Sequence, residues 1–253
     1  MGDTDWSGVR ERVESLRARP GHERRFGADL HGFTLAPALG DGDLADLEAW
    51  LGVELPADYR RFLTQVAAGG AGPDYGINTV RRIADGDGWR WHGDCGDLTD
   101  VARLGLPFLV ERPFGELLDE LDEREPRPED FTDETAFKEA TWSWQDRMWE
   151  IVAVPEFSQG AIYLVDEGCN RRYWLVVSGP AAGTVWYDSS CDWADMNPVE
   201  NDAGEPMGFG EWYLDWLDST ERYLALWPNG GCGPIGPQPP FGEDLLSCRT
   251  DTS

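Results

Sequence analysis

The apolar positions in the first part of the chain recur every three or four residues, which predicts helices. One helix is expected within the first twenty residues, with an apolar stripe made of Trp6, Val9, Val13 and Leu16. A second helix is predicted from an Asp43 cap to Gly52, which ends it. A third begins at Pro56, and its stripe consists of Tyr59, Phe62, Leu63 and Val66.

Beyond the third helix the pattern changes to short β-branched and aromatic runs separated by turn residues, which predicts strands. The six runs are GINTVRRI, LPFLV, WEIVAV, AIYLV, YWLVVS and TVWYD. The last three are joined by segments too short for crossover helices, so we expect antiparallel neighbours. A long helix is predicted over FGEWYLDWLDSTERYLALW. Helices, then strands, then a helix indicate a single α+β domain.

Composition divides the chain into three parts. We expect an N-terminal helical segment over residues 1–25 and the α+β domain over residues 26–227. Residues 228–253 form a Pro/Gly-rich tail that we expect to be poorly ordered. Inside the domain lies a highly acidic insertion, at about residues 112–141, which is either a solvated helix pair or a partly mobile segment.

The run AAGGAGPDYG raises the question of phosphate binding. A phosphate loop needs glycines that lead into a helix N-terminus, where backbone N–H groups meet the anion. Here the glycines follow a predicted helix C-terminus, and no G-K-[ST] follows them. We therefore interpret Gly69 and Gly70 as a helix stop and turn.

Charge narrows the range of partners. The chain has 48 Asp and Glu against 21 Lys and Arg, a formal net charge of −27. Such a charge repels nucleic acid and attracts a cationic partner, although solubility or adaptation to salt explains it equally well. No apolar run is long enough for a membrane span, and the N-terminus lacks a secretory pattern, so we expect a cytoplasmic protein without membrane contact.

Residue patterns give no catalytic signature. The five cysteines form no C-x-x-C pair, and His92 with Cys95 is the only zinc-like spacing, which a surface loop explains better. Cys169 has no histidine near it in sequence, which favours a buried structural thiol over a nucleophile. Most aromatic residues fall on predicted core faces. We predict no catalytic, metal or cofactor site, and a binding protein remains by elimination.

Two blocks of sequence resemble the SUKH superfamily, which includes fungal cell-wall assembly regulators and bacterial immunity proteins. The first, Phe26 to Ile77, contains L-P-x-D-Y-R-x-F-L and a Gly-Gly turn before an aromatic residue and Gly. Its matching positions include Trp50, Leu55, Pro56, Tyr59, Phe62, Gly69, Gly70, Tyr75 and Gly76. The second block, GAIYLVDEGCNRRYWLVVSGPAAGTVW, matches at positions that include Cys169, Gly179 and Trp186. The FGEWYLDWLD helix resembles the closing helix of the superfamily.

The resemblance implies a SUKH-like α+β domain with a mainly antiparallel sheet flanked by helices, whose motif residues are mostly structural. For bacterial members it implies immunity against a toxin, often a nuclease, so the expected partner is a basic cognate toxin. An intracellular regulatory or scaffold domain that binds a cellular protein or small ligand is the alternative. The candidate contact residues are Asp188, Asp192, Trp193, Asp195, Glu200 and Asp202, unless these simply form a solvated loop. The acidic insertion around Glu116 to Glu125 is the second candidate surface.

Overall fold

Seven helices and six strands make up the described part of the chain. The structure is a computed structural model that describes residues 4–84, 88–93 and 96–227. Its helices are α1 Val9–Leu16, α2 Ala28–His31, α3 Asp41–Leu51, α4 Ala57–Arg61, α5 Phe114–Asp122, α6 Glu134–Val152 and α7 Phe209–Leu226. Its strands are β1 Thr79–Arg82, β2 Trp89–His92, β3 Ala161–Gly168, β4 Arg171–Val176, β5 Val185–Asp188 and β6 Asn197–Pro198. This arrangement confirms the predicted α+β class.

The central sheet has the strand order β3-β4-β5-β6, and all of its neighbours are antiparallel, as predicted. Successive residues of β3 point to opposite faces, so Ile162 enters one apolar cluster and Tyr163 enters another. The same alternation separates Leu175 from Trp174 in β4. Both faces of the sheet are therefore covered, which explains why its strands read as nearly continuous apolar runs.

Helices α3 and α4 form where the apolar spacing predicts them, although their first residues differ. α3 begins after Gly40, so the predicted Asp43 cap is wrong, and Asp43 lies in the first turn. Gly52 ends α3 in the left-handed conformation, as predicted. α4 starts one residue after Pro56 and continues as a π-helical turn over Phe62–Val66. All four residues of the predicted stripe are completely buried.

The glycine pair has a different role from the predicted helix stop. The helix ends at Val66, and Gly70 forms β-bridges with both Leu35 and Ile77. A Cβ on Gly70 would lie 2.4 Å from the Thr34 carbonyl oxygen, so only glycine permits this approach. A Cβ on Gly69 would likewise lie 2.6 Å from the Thr79 Cα, so both glycines are required where these backbone segments meet at close range.

Helix α7 closes one face of the core. Its buried residues include Trp212, Tyr213 and Trp216, and the Tyr213 hydroxyl donates a 2.8 Å hydrogen bond to the Ala71 carbonyl. The N-terminal helical segment packs on the same core, where the centre of the Trp6 ring lies 5.9 Å from that of Tyr213. The predicted tail, residues 228–253, lies outside the described residues.

Two strand predictions and one loop interpretation need correction. LPFLV forms no ladder, and the Phe108 N–H donates to the Ser178 carbonyl at 3.0 Å. WEIVAV is mostly the last turn of α6, because the helix that precedes it continues to Val152. WRWH, interpreted as a surface loop, is strand β2 and pairs with β1 through Val80 and Trp91. Trp91 is fully buried there and donates to the Tyr59 hydroxyl at 3.0 Å.

The acidic insertion is a helix pair, the first of the two predicted alternatives. Helices α5 and α6 pack through a small apolar cluster of Leu118, Leu121, Trp144 and Met148. The Trp144 indole N–H donates to the Leu121 carbonyl at 2.7 Å, which fixes one helix on the other. Because α6 ends at Val152, the inserted unit is longer than the predicted range to residue 141.

Candidate protein-binding surfaces

Asp188, the first residue of the predicted acidic edge, lies inside the fold. Its side chain accepts hydrogen bonds from the Trp174 indole N–H at 3.3 Å and from the Ser190 N–H at 3.0 Å. Arg172 lies 3.6 Å from the same carboxylate. With 1% of its surface exposed, Asp188 supports the end of β5 and is inaccessible to a partner.

Asp195 is also internal and holds the insertion on the sheet. It accepts a 2.7 Å hydrogen bond from Arg112 Nε and a 3.1 Å bond from the Gly115 N–H at the start of α5. The Arg112 guanidinium carbon lies 4.5–5.4 Å from the centres of three phenylalanine rings, those of Phe108, Phe114 and Phe157. Burial lowers the pKa of Arg112, and the contact with Asp195 opposes that shift.

Trp193 is covered by the insertion. Its ring centre lies 3.9 Å from that of Trp144 on α6, and its backbone takes the left-handed conformation with φ 64°. The side chain is only partly exposed. The indole therefore serves mainly to seat α6 on the loop after β5.

The remaining three candidates are exposed, and they lie in different surroundings. Asp192 forms an ion pair with Arg171 at 2.7 Å, beside the end of the β3–β4 hairpin. Glu200 and Asp202 lie in a turn before α7, where the neighbouring Asn201 amide donates to Glu211 at 3.0 Å. The single acidic edge predicted from sequence is thus divided into a hairpin part and an α7 part.

A partly buried carboxylate–tyrosine cluster near the hairpin was not predicted. Glu167 accepts a 2.5 Å hydrogen bond from the Tyr187 hydroxyl, and burial raises the pKa of Glu167. Asp74 adopts φ 48°, and burial, with a smaller effect of Glu167, raises its pKa to about 7. The available sequence signal was the acidic pair that ends the otherwise apolar run AIYLVDEG.

Two exposed tryptophans on α6 were also missed, because most aromatic residues were assigned to the core. Trp142 has 63% of its surface exposed and Trp149 has 42%, whereas Trp144 between them is buried. The sequence WSWQDRMW already indicates this arrangement, because tryptophans two and five residues apart lie on opposite sides of one helix.

The family-motif positions lie mainly in the core and at turns. Leu55, Tyr59, Phe62 and Trp186 are buried, and Trp50 is partly buried against Gly88. Pro56 precedes α4, while Tyr75 and Gly76 lie in the loop that follows the glycine crossing. Gly179 lies beside Phe108, where a Cβ would come within 3.2 Å of the backbone nitrogen.

Cys169 differs from the prediction of a buried thiol. It is exposed and occupies the two-residue turn between β3 and β4 with Asn170. Both residues have left-handed φ values, 52° and 63°, as in the type I′ turns that suit tight hairpins. Its position therefore reflects hairpin geometry.

Within residues 4–84, 88–93 and 96–227, no group of three or more His, Cys, Asp or Glu side chains is arranged to hold a metal ion. Cys95, one half of the pair with His92, lies outside the described residues. The helices of the same ranges include none that is long and apolar enough to span a membrane.

The fold is an α+β domain whose exposed side chains include many carboxylates and the two indoles of α6. A family model of the SMI1 / KNR4 family (SUKH-1) matches residues 39–196, well over half of the chain, and the chain belongs to that family. No curated protein and no solved structure matches the chain. Domains of this family are generally non-catalytic immunity or regulatory proteins.

Proposed function

We propose that this chain is a bacterial immunity protein that binds a cognate toxin in the cytoplasm and blocks it through an acidic surface. One observation carries the proposal: a member of a family of immunity and regulatory domains has a net charge of −27. Solubility or adaptation to salt accounts for such a charge in a regulatory domain as well, but an inhibitor of a basic toxin also gains attraction and association rate from it.

The charge favours a specific mode of inhibition. A toxin that cuts nucleic acid carries a basic cleft for the phosphate backbone. A polyanionic protein is drawn to such a cleft, associates rapidly and competes with the substrate for the same cations. The same charge disfavours nucleic acid as a direct partner of this chain.

Charge alone does not give an affinity sufficient for neutralisation. Tight complexes depend on a desolvated centre with a few large side chains, and the charged rim contributes mostly to specificity and association rate. Among the predicted contacts, we assign the rim role to Asp192, Glu200 and Asp202, which are exposed. Asp188, Trp193 and Asp195 are assigned to the support of that surface.

The proposal predicts a toxic protein encoded next to this chain, and the test is co-expression with that candidate, followed by gel filtration of the mixed proteins. Rescue of growth together with a stable complex is expected. Failure to rescue, with no complex, would contradict the proposal and leave the regulatory alternative.

Reversal of the three exposed acids to lysine tests the surface. We expect the dissociation constant to rise tenfold or more, by roughly 1.4 kcal/mol or more of binding free energy. Reversal of Glu11, Asp29 and Asp41 changes the net charge equally at other exposed positions and is the matched control. Equal effects of the two triple variants would remove Asp192, Glu200 and Asp202 from the binding surface.

A further inference from the structure

Helix α6 has two aromatic faces. Trp144 and Met148 point into the α5–α6 cluster, while Trp142 and Trp149 are exposed. Each residue turns an α-helix by about 100°, so Trp142 and Trp149 lie within about 20° of each other and roughly opposite Trp144. Seven residues separate them, which is about 10 Å along the axis. The two exposed indoles therefore form one outward stripe.

An outward pair of indoles is unusual because tryptophan is mostly buried. Single exposed apolar side chains need no explanation, but neighbouring ones mark interaction surfaces. Eight large apolar side chains of the described residues are exposed, and only these two are tryptophans. Both lie on the same face of one helix.

Acidic residues run beside this stripe. Glu139, Asp146 and Glu150 are exposed, and their spacing of seven and four residues places them along one side of the indoles. Residues 114–152 contain thirteen Asp and Glu against four Lys and Arg. One of those four, Lys138, forms an ion pair with Glu134 at 2.7 Å. The face combines aromatic rings with a strong negative field.

We propose that this face of α6 binds a basic protein through its arginine and lysine side chains. Trp142 and Trp149 stack against the cations, which are attracted to the faces of indole rings, most of all in the case of arginine. Glu139, Asp146 and Glu150 form ion pairs around them. This inference rests on the proposed function, and it adds an aromatic contact on the face of α6 opposite the one that packs on Trp193, apart from the exposed acids Asp192, Glu200 and Asp202.

Charge excludes the other occupants of the face. A second copy of the chain would bring two strongly acidic segments together, which like-charge repulsion opposes. The tail, residues 228–253, has three acidic residues and one arginine, so it offers no complementary charge. A basic partner is the occupant that fits both the indoles and the carboxylates.

The helix is held firmly enough to present the stripe without rearrangement. Trp144 contacts Trp193 at 3.9 Å between ring centres and donates to Leu121 at 2.7 Å. At the other end of the insertion, Arg112 is paired with Asp195 at 2.7 Å. A preorganised surface loses little conformational entropy on binding.

The test uses the full chain and fluorescein-labelled octa-arginine, with binding measured by fluorescence anisotropy. The double variant Trp142→Ala and Trp149→Ala keeps the net charge and is expected to weaken binding by about tenfold. Trp142→Phe and Trp149→Phe keeps aromatic rings and is expected to lose less. The matched control is Leu30→Ala and Leu226→Ala, which removes side chains that are 51% and 62% exposed and is expected to leave affinity unchanged.

The outcomes separate the alternatives. Equal binding of octa-arginine by the parent and the double alanine variant, or no binding by the parent, would overturn the proposal. So would a parent dimer in sedimentation that the alanine variant dissociates, or a gain in binding when the tail is removed. The assay contains no toxin, so a parent that rescues growth but fails here would keep the proposed function and lose only this inference.

Discussion

Replacement of Arg112 by methionine is expected to destabilise the attachment of the acidic helix pair to the central sheet. The Arg112 side chain is 4% exposed and that of its partner Asp195 is 11% exposed, with 2.7 Å between Nε and Oδ1. Methionine fills much of the same space among the phenylalanine rings. The substitution therefore tests the charge of Arg112 more than its volume.

The magnitude follows from the carboxylate that remains. Breaking a buried ion pair by removing one partner costs roughly 3–5 kcal/mol, because the other charge stays buried without compensation. Asp195 keeps hydrogen bonds from the N–H groups of Gly115 at 3.1 Å and Met196 at 2.7 Å. We therefore expect the lower end, about 3 kcal/mol in the free energy of unfolding.

A double-mutant cycle isolates the pair. The variants are Arg112→Met, Asp195→Asn and their combination, each unfolded in urea and analysed by linear extrapolation. We expect a coupling energy of about 1–2 kcal/mol. The matched control is the exposed pair Glu134–Lys138, with side chains 79% and 57% exposed at 2.7 Å, for which about 0.3–0.5 kcal/mol is expected. Equal coupling in the two cycles would refute a stabilising buried pair.

Three further predictions concern the core and the carboxylate–tyrosine cluster. Gly70→Ala places a Cβ 2.4 Å from a backbone oxygen at φ 110°, and it should lower the free energy of unfolding, measured by urea titration, by at least about 2 kcal/mol. Gly42→Ala is the control: its Cβ has nothing within 4 Å, and the substitution should raise the free energy of unfolding by up to about 1 kcal/mol. Burial raises the pKa of Asp74 to about 7, so the protonated carboxyl stabilises the fold below about pH 4 and this contribution is lost as pH rises to about 7. Asp74→Asn should therefore remove part of the fall in the free energy of unfolding between about pH 4 and 7. The same fall in the variant would contradict the raised pKa of Asp74. Tyr187→Phe removes the hydroxyl that donates to Glu167 at 2.5 Å and should cost about 1–3 kcal/mol by thermal unfolding, and a neutral result would show that the bond contributes little.

Local sequence patterns predict those helices and strands that bury one continuous apolar face made of their own residues. The stripes of α3, α4 and α7 and the strands β3 to β5 follow from spacing, because each buries a continuous apolar face. The prediction for WEIVAV was wrong because a short apolar run shows neither helical nor strand periodicity by itself. Residues 134–148 before it are helical, and the helix continues into the run.

The candidate surface is less predictable because burial of a charge depends on distant partners. Asp195 is internal since Arg112, 83 residues away, meets it inside the fold. Trp193 is covered by α6, a helix some 40 to 60 residues earlier in the chain, whose last residues were predicted to be a strand. Conversely, Trp142 and Trp149 are exposed because the opposite face of α6 already supplies the packing residues.

The central claim, that this chain neutralises a basic toxin by direct contact, is tested most directly on a candidate toxin taken from the genes beside it. The activity of that candidate is titrated with the purified chain. We predict complete inhibition at a simple molar ratio, with an affinity that falls as salt is raised. Full toxin activity in the presence of excess chain at low salt would contradict the claim.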